Sequence, residues 1–271
     1  MSYLCATCFE NDFSVGTRSC RLHTIMLSIR KNNIMKITYL HANSLTSILM
    51  ALTTLVGCTA NQSETSDVPA NEPAKDVRTT VYDFTDGTIP TDMFHCYSIH
   101  NTTFDTLSAG DGCITHATFD ASRDPSAFNG LQTERFFRKG CTITLECDFE
   151  GLGAPLIIIC DKFFDFNGHR TYNRRFESVA YKDGVNVWDV RVPDTTVAKV
   201  DVTRMAYCQF PIADKERVIM SVTTSDYGME VTANGHHFGV CCPNLPDSFS
   251  VGVMTCEGVC HLYKCTVTEP L

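Results

Sequence analysis

The chain has no basic cluster longer than the "NRR" of Asn173 to Arg175 or an isolated "RK" pair, and its net charge is −9. A phosphate backbone therefore finds no footprint, which argues against a nucleic-acid partner. No apolar run reaches the ~20 residues of a membrane-spanning helix; the longest candidate, Ile48 to Val56, stops well short. From Thr79 onward no segment keeps apolar residues at i, i+3 and i+4 over three turns, so a long helix has nowhere to form. No D-x-[DN]-x-D loop stands out either. No cofactor and no metal ligand set is expected, with a structural calcium ion left open. Trp188 is the single tryptophan in 271 residues.

What the chain does have begins with a start-like segment inside it. "MKITYLHANSLTSILMALTTLVGC" opens at Met35 with Lys36, runs into the apolar stretch, and stops at Gly57 and Cys58. That is the tripartite form of a secretory signal. "LVGC", Leu55 to Cys58, resembles the lipobox of bacterial lipoproteins, which implies lipidation at Cys58, a mature chain starting there, and a membrane partner through that anchor. The expected location is the bacterial cell envelope, lipid-anchored at the outer membrane or cell surface. The following "TANQSETSDVPANEPAKDV" is polar, contains proline and lacks large apolar residues, the composition of a flexible tether. The chain thus divides into an upstream extension (1–34) from a misplaced start, a signal peptide (35–57), a tether (58–77) and one domain (78–271).

With 44% hydrophobic residues the chain can build one sizeable core. Eleven cysteines follow Cys58, an odd number that cannot all pair internally. Several stand inside apolar strand patterns such as "LIIIC" and "VMTC", where a free thiol acts as a small buried hydrophobe. Mostly free thiols are expected. The sharper alternative, a zinc site from Cys256, Cys260, His261 and Cys265 in "CEGVCHLYKC", lacks a C-x-x-C knuckle in that stretch.

From Thr79 the sequence reads as more than ten short strands. They are separated by turn signals at Asp86-Gly87, Gly110-Asp111-Gly112, Lys182-Asp183-Gly184 and Asn234-Gly235. This predicts an all-β fold, an antiparallel two-sheet β-sandwich or jelly roll in one domain. "VYDFTDGTIP", "GLQTERFFRKGCTITLECDFEG", "RVIMSVTTSDYGMEVTANGHHFG" and "FSVGVMTCEGVCHLYKCTV" follow one another in the order of the concanavalin A-like lectin/glucanase superfamily, which this chain resembles over most of residues 79 to 268. The resemblance implies that the last strand returns beside the first.

Candidate chemistry starts at "TLECDFEG", where Glu146, Asp148 and Glu150 alternate and so share one face of a strand. Two such carboxylates could serve a glycosidase. The resemblance implies otherwise: the strand in the catalytic place would be "RFESVAYKDGVNVW". There Glu177 takes the first carboxylate position, and Val179 and Tyr181 stand where the other two acids would be. Alternation puts Arg175, Glu177, Val179 and Tyr181 on one face, and Asn186, Trp188 and Val190 on one face of the next strand. Tyr181 and Trp188 offer flat apolar surfaces to sugar C–H groups, while Arg175, Glu177 and Asn186 can hydrogen-bond hydroxyls. Trp188 could equally be a core residue.

Two more clusters carry histidine. His116 and His169, with Arg170 and Tyr172, are the residue types of a polysaccharide lyase, or else a polar loop. His236 and His237 are adjacent on a strand, point to opposite faces, and cannot easily ligate one metal. The expected function is a surface lipoprotein that binds polysaccharide or oligosaccharide. The alternative is a glycoside hydrolase built on Glu177 or a lyase built on the histidine segment. An enzyme would bring Glu177 against a second acid or a histidine; a binder would present aromatics without facing carboxylates.

Overall fold

The computed structural model describes residues 76–116 and 128–271. The upstream extension, the signal peptide, Cys58 and nearly all of the tether lie outside the described residues. Among the described residues seventeen strands, numbered in chain order, form two sheets. The eight-stranded sheet contains β1 (Val77–Asp83), β3 (Leu107–Gly110), β4 (Cys113–His116), β6 (Thr142–Glu150), β13 (Val218–Ser225), β14 (Gly228–Ala233), β15 (His236–Cys241) and β17 (Val259–Pro270). The nine-stranded sheet contains β2 (Met93–Tyr97), β5 (Asn129–Arg138), β7 (Ala154–Cys160), β8 (Phe163–Phe166), β9 (His169–Tyr172), β10 (Arg175–Tyr181), β11 (Gly184–Arg191), β12 (Asp201–Gln209) and β16 (Ser248–Cys256).

The nine-stranded order is β12-β11-β10-β7-β16-β5-β2-β9-β8. Every pairing is antiparallel except the Tyr97↔Thr171 contact of β2 with β9. The all-β two-sheet sandwich expected from the strand spacing is what forms, and β1 lies against β17, first strand beside last. The inner faces meet over a core that includes Phe84, Phe137, Phe149 and Phe249, all fully buried. Each such ring contributes about 1.5–3 kcal/mol by leaving water.

Turn chemistry fixes the hairpins. Asp111-Gly112, Asn167-Gly168 and Asn234-Gly235 all have both residues at positive φ, the type I′ geometry whose twist matches two-residue hairpins. The Asn167-Gly168 turn makes a hairpin of β8 and β9 from "FFDFNGHRTY", a segment expected as a polar loop because its strands are only four residues each. β2 and β3 are likewise too short to have shown a clear alternation.

Glu146, Asp148 and Glu150 belong to β6, in the eight-stranded sheet, and each is paired there. Glu146 meets Lys264 at 2.6 Å, Asp148 meets His261 Nδ1 at 2.7 Å and accepts from Tyr263, and Glu150 meets Lys215 at 3.1 Å. They form a structural ladder on a half-wet sheet face. The eleven described cysteines are free thiols, nine of them buried. Cys256 and Cys260 belong to different apolar clusters and His261 is held by Asp148, so the "CEGVCHLYKC" set does not converge. Among the described residues no three His, Cys, Asp or Glu side chains gather as a metal site.

Candidate functional site

The face of the nine-stranded sheet turned away from the core carries a second apolar cluster: Leu156, Ile158 and Cys160 of β7, Val179 of β10, Trp188 and Val190 of β11, and Met254 of β16. Polar side chains stand among them. The register explains the set: Arg175, Glu177 and Val179 pair with Cys160, Ile158 and Leu156, and with Val190, Trp188 and Asn186 on the other side. The alternation read from sequence therefore holds, and Arg175, Glu177, Tyr181, Asn186 and Trp188 do share one face.

They do not act as one group. Arg175 and Glu177 are paired at 2.6 Å with side chains 0% and 2% exposed. Arg175 Nη2 also donates to Ser98 at 3.3 Å, and its Nη1 has no partner. Burial pulls the Arg175 pKa down, but Glu177 outweighs it and the guanidinium stays charged. Room is tight here: an added Cβ at Gly252, opposite Ile158, would stand 1.8 Å from Gln132 Oε1.

Tyr181, Asn186 and Trp188 instead line a crevice with Gly151–Ala154, Lys182, Cys256 and Glu257. Its volume of about 30 Å³ holds about two or three waters. Trp188 is 2% exposed, so it packs on one side and borders the crevice on the other. Its Nε1–H and Asn186 Oδ1 are buried without partners. Tyr181 stacks on Tyr207, ring centroids 6.2 Å apart, and the Tyr207 hydroxyl donates to the Asp183 carbonyl. Burial first, then the Tyr207 hydrogen bond, push the Tyr181 phenol far above its ordinary range, so it stays neutral.

At the other end of the same sheet is a pocket of about 330 Å³, within the ~300–1,000 Å³ range of small-ligand sites. Phe94, Phe136, Phe163 and Phe164 wall it, with Glu134, Asp165 and Arg170 as its polar groups. Arg170 lies 3.9 Å from the Phe94 ring centre and holds Glu134 at 3.1 Å. Sequence reading missed this site because its walls come from β2, β5 and the β8–β9 hairpin, which are far apart in the chain. The Phe-rich "FFDF" of β8 was the one local signal.

Among the described residues neither enzymatic constellation comes together. None of the positions bordering Glu177 on its face, Trp188, Ile158, Arg175, Val179, Cys160, Leu156, Asn186 and Val190, is a carboxylate. A retaining or inverting pair needs one there or in a facing loop, and the partner Glu177 has is Arg175. In the histidine segment, His169 stacks on Phe104 at 3.7 Å and Arg170 is held by Glu134. Tyr172 is fully buried, and burial lifts its pKa well above the phenol range, with Cys96 next to it adding to the rise. His116 lies beside Asn129 and is nearly buried, which lowers its pKa.

No family model matches the chain, and no curated protein matches it in sequence. Similar solved structures include the κ-carrageenase from Pseudoalteromonas carrageenovora, at 6% identity and TM-score 0.50, covering 76% of this chain and 100% of that one. The catalytic domain of an endo-1,3-β-glucanase (laminarinase) from Thermotoga petrophila gives 12% identity and TM-score 0.48 over 72% and 99%. A carbohydrate-binding module from Bacillus subtilis gives 9% and 0.46 over 64% and 95%. At these identities the likeness is one of fold alone, a jelly-roll β-sandwich.

Proposed function

We propose that this domain binds glycans without cleaving them, through the outer face of its nine-stranded sheet. The observation that carries the proposal is the chemistry of that face: aromatic surfaces at both ends, with buried polar atoms lacking partners between them. Sugars present alternating C–H patches and hydroxyls, so they match ring faces flanked by unsatisfied donors and acceptors. Tyr181, Asn186 and Trp188 form one contact region and the four phenylalanines with Arg170 the other. Arg175 and Glu177 hold the floor between them. The κ-carrageenase of similar fold, solved with an oligotetrasaccharide of κ-carrageenan, acts on a glycan, which fits this proposal.

In the same proposal the chain is an exported lipoprotein anchored through Cys58, and the domain captures polysaccharide at the cell surface for its utilisation. Support comes from the signal-like segment and the "LVGC" sequence. The test is electrophoresis of the purified protein through gels containing plant, algal or host polysaccharides. Retardation by at least one of them, reduced in Tyr181→Ala and in Phe136→Ala, is expected. Mobility unchanged by every polysaccharide would end the proposal.

A further inference from the structure

The edge strand β12 places Arg204 directly across from Trp188 in the sheet register. Its guanidinium lies 5.7 Å from the Trp188 ring centre and 5.5 Å from that of Tyr207, within cation–π range of both. Arg204 is exposed, and among the described residues no carboxylate pairs with it. That sets it apart from Arg170, Arg174, Arg175 and Arg191 in the β9 to β11 segment, each of which holds an Asp or Glu. The positions around it on the same face, Val202, Tyr207, Asn186, Trp188 and Val190, carry no acid.

A second, independent observation points the same way. The Trp188 indole N–H beside Arg204 is buried and has no acceptor. An unpaired buried donor costs about 1–3 kcal/mol, which a bound acceptor relieves. Two donors with no acceptor, one a guanidinium, ask for an anion; Asn186 Oδ1, an acceptor with no donor, asks for a hydroxyl next to it. Tyr207, 40% exposed and stacked with Tyr181, supplies the ring face that would carry the sugar's C–H side. The charged residues of the crevice, Lys182 and Glu257, offset one another in sign.

We propose that Arg204, Trp188, Asn186 and Tyr207 form a subsite for an acidic sugar, one bearing a carboxylate or a sulfate ester. Arg204 is the specificity-determining residue: it forks two donors onto the anion while the ring stacks on Tyr207. The proposal rests on the glycan-binding role and narrows it. It also accounts for how a domain in an acidic chain can bind an acidic polymer, since the attraction is local and needs no overall positive charge.

The test compares binding of the purified protein to a polyuronate, to the same polymer with its carboxyls reduced to alcohols, to a sulfated galactan and to its desulfated form. Titration is followed by Trp188 fluorescence, because the chain has no other tryptophan. At least one acidic polymer should bind about tenfold or more tighter than its neutral counterpart, and which pair shows the difference identifies carboxylate or sulfate as the group read. Arg204→Ala should remove that difference, while Arg204→Lys retains part of it. Because Arg204 is on an exposed edge, both variants should keep the wild-type melting temperature. Equal binding of acidic and neutral forms, or an unchanged preference in a folded Arg204→Ala, would overturn the acidic subsite and leave glycan binding standing. Absence of binding to all four polymers, and to the neutral panel, would remove both.

Discussion

Glu177→Gln discriminates a structural from a catalytic role for the buried carboxylate at the centre of the candidate face. Glu177 is 2% exposed and its Oε1 accepts from Arg175 Nε at 2.6 Å, while Arg175 is fully buried with Nη1 already unpartnered. Removing the negative charge leaves a buried guanidinium without its counter-ion, a change that costs about 3–5 kcal/mol. For a domain of this size each kcal/mol lowers the melting temperature by about 2–4 °C, so a fall of roughly 10 °C is expected. Replacing both partners with apolar residues, Arg175→Met with Glu177→Leu, should recover most of that loss, because the desolvation penalty disappears with the pair. Thermal unfolding by circular dichroism of Arg175→Met, Glu177→Leu and the double variant gives the cycle, with Glu177→Gln measured beside them. A Glu177→Gln protein melting within about 2 °C of wild type would refute the reasoning that this pair is buried and mutually dependent.

Three further outcomes follow from the same geometry. Trp188→Ala should destabilise by about 3–5 kcal/mol in chemical unfolding, since the ring is packed as well as placed at the crevice; a cost under about 1 kcal/mol would mean it is not in the core. Asp189 is buried, which by itself raises its pKa, but hydrogen bonds from Arg174 and Arg191 outweigh burial and hold it below 3.8. Its stabilising contribution is therefore complete above pH 3.8 and lost as pH falls through the lower folded value, so the melting-temperature gap between wild type and Asp189→Asn should close in acid; a gap that persists at the lowest pH would contradict this. Peptide mapping after brief native alkylation should find Cys241, which is exposed, labelled before the nine buried thiols, whose reactivity burial suppresses; early labelling of Cys147 or Cys260 would refute that packing.

Much of the fold was legible because period-2 alternation and Asn-Gly or Asp-Gly turns are local signals. "VNVWDVRV" and "RFESVAYK" became β11 and β10 with the faces their alternation dictates. The β8–β9 hairpin was not, since four-residue strands show barely two alternations, and its turn, Asn167-Gly168, sits in a segment rich in polar residues. The candidate site was half legible. Alternation puts five residues on one face, but whether a side chain there meets a ligand or a neighbour depends on burial and on long-range partners. Arg175 found Glu177 two residues away, whereas Trp188 found Arg204 across a strand pairing that the sequence does not reveal. The aromatic pocket gathers Phe94, Phe136 and the Phe163-Phe164 pair from three separate strands, and nothing local links the three.

The most direct test of glycan binding at this face is the environment of Trp188 itself. As the chain's single tryptophan, it gives one indole N–H resonance and one emission, both assigned without further labelling. Titration of the purified protein with a polysaccharide that retards it should shift that resonance and that emission in a saturable way, with no oligosaccharide released. Retardation with the Trp188 signals unmoved would place binding elsewhere, and release of oligosaccharides that disappears in Glu177→Gln would replace a binding domain with an enzyme.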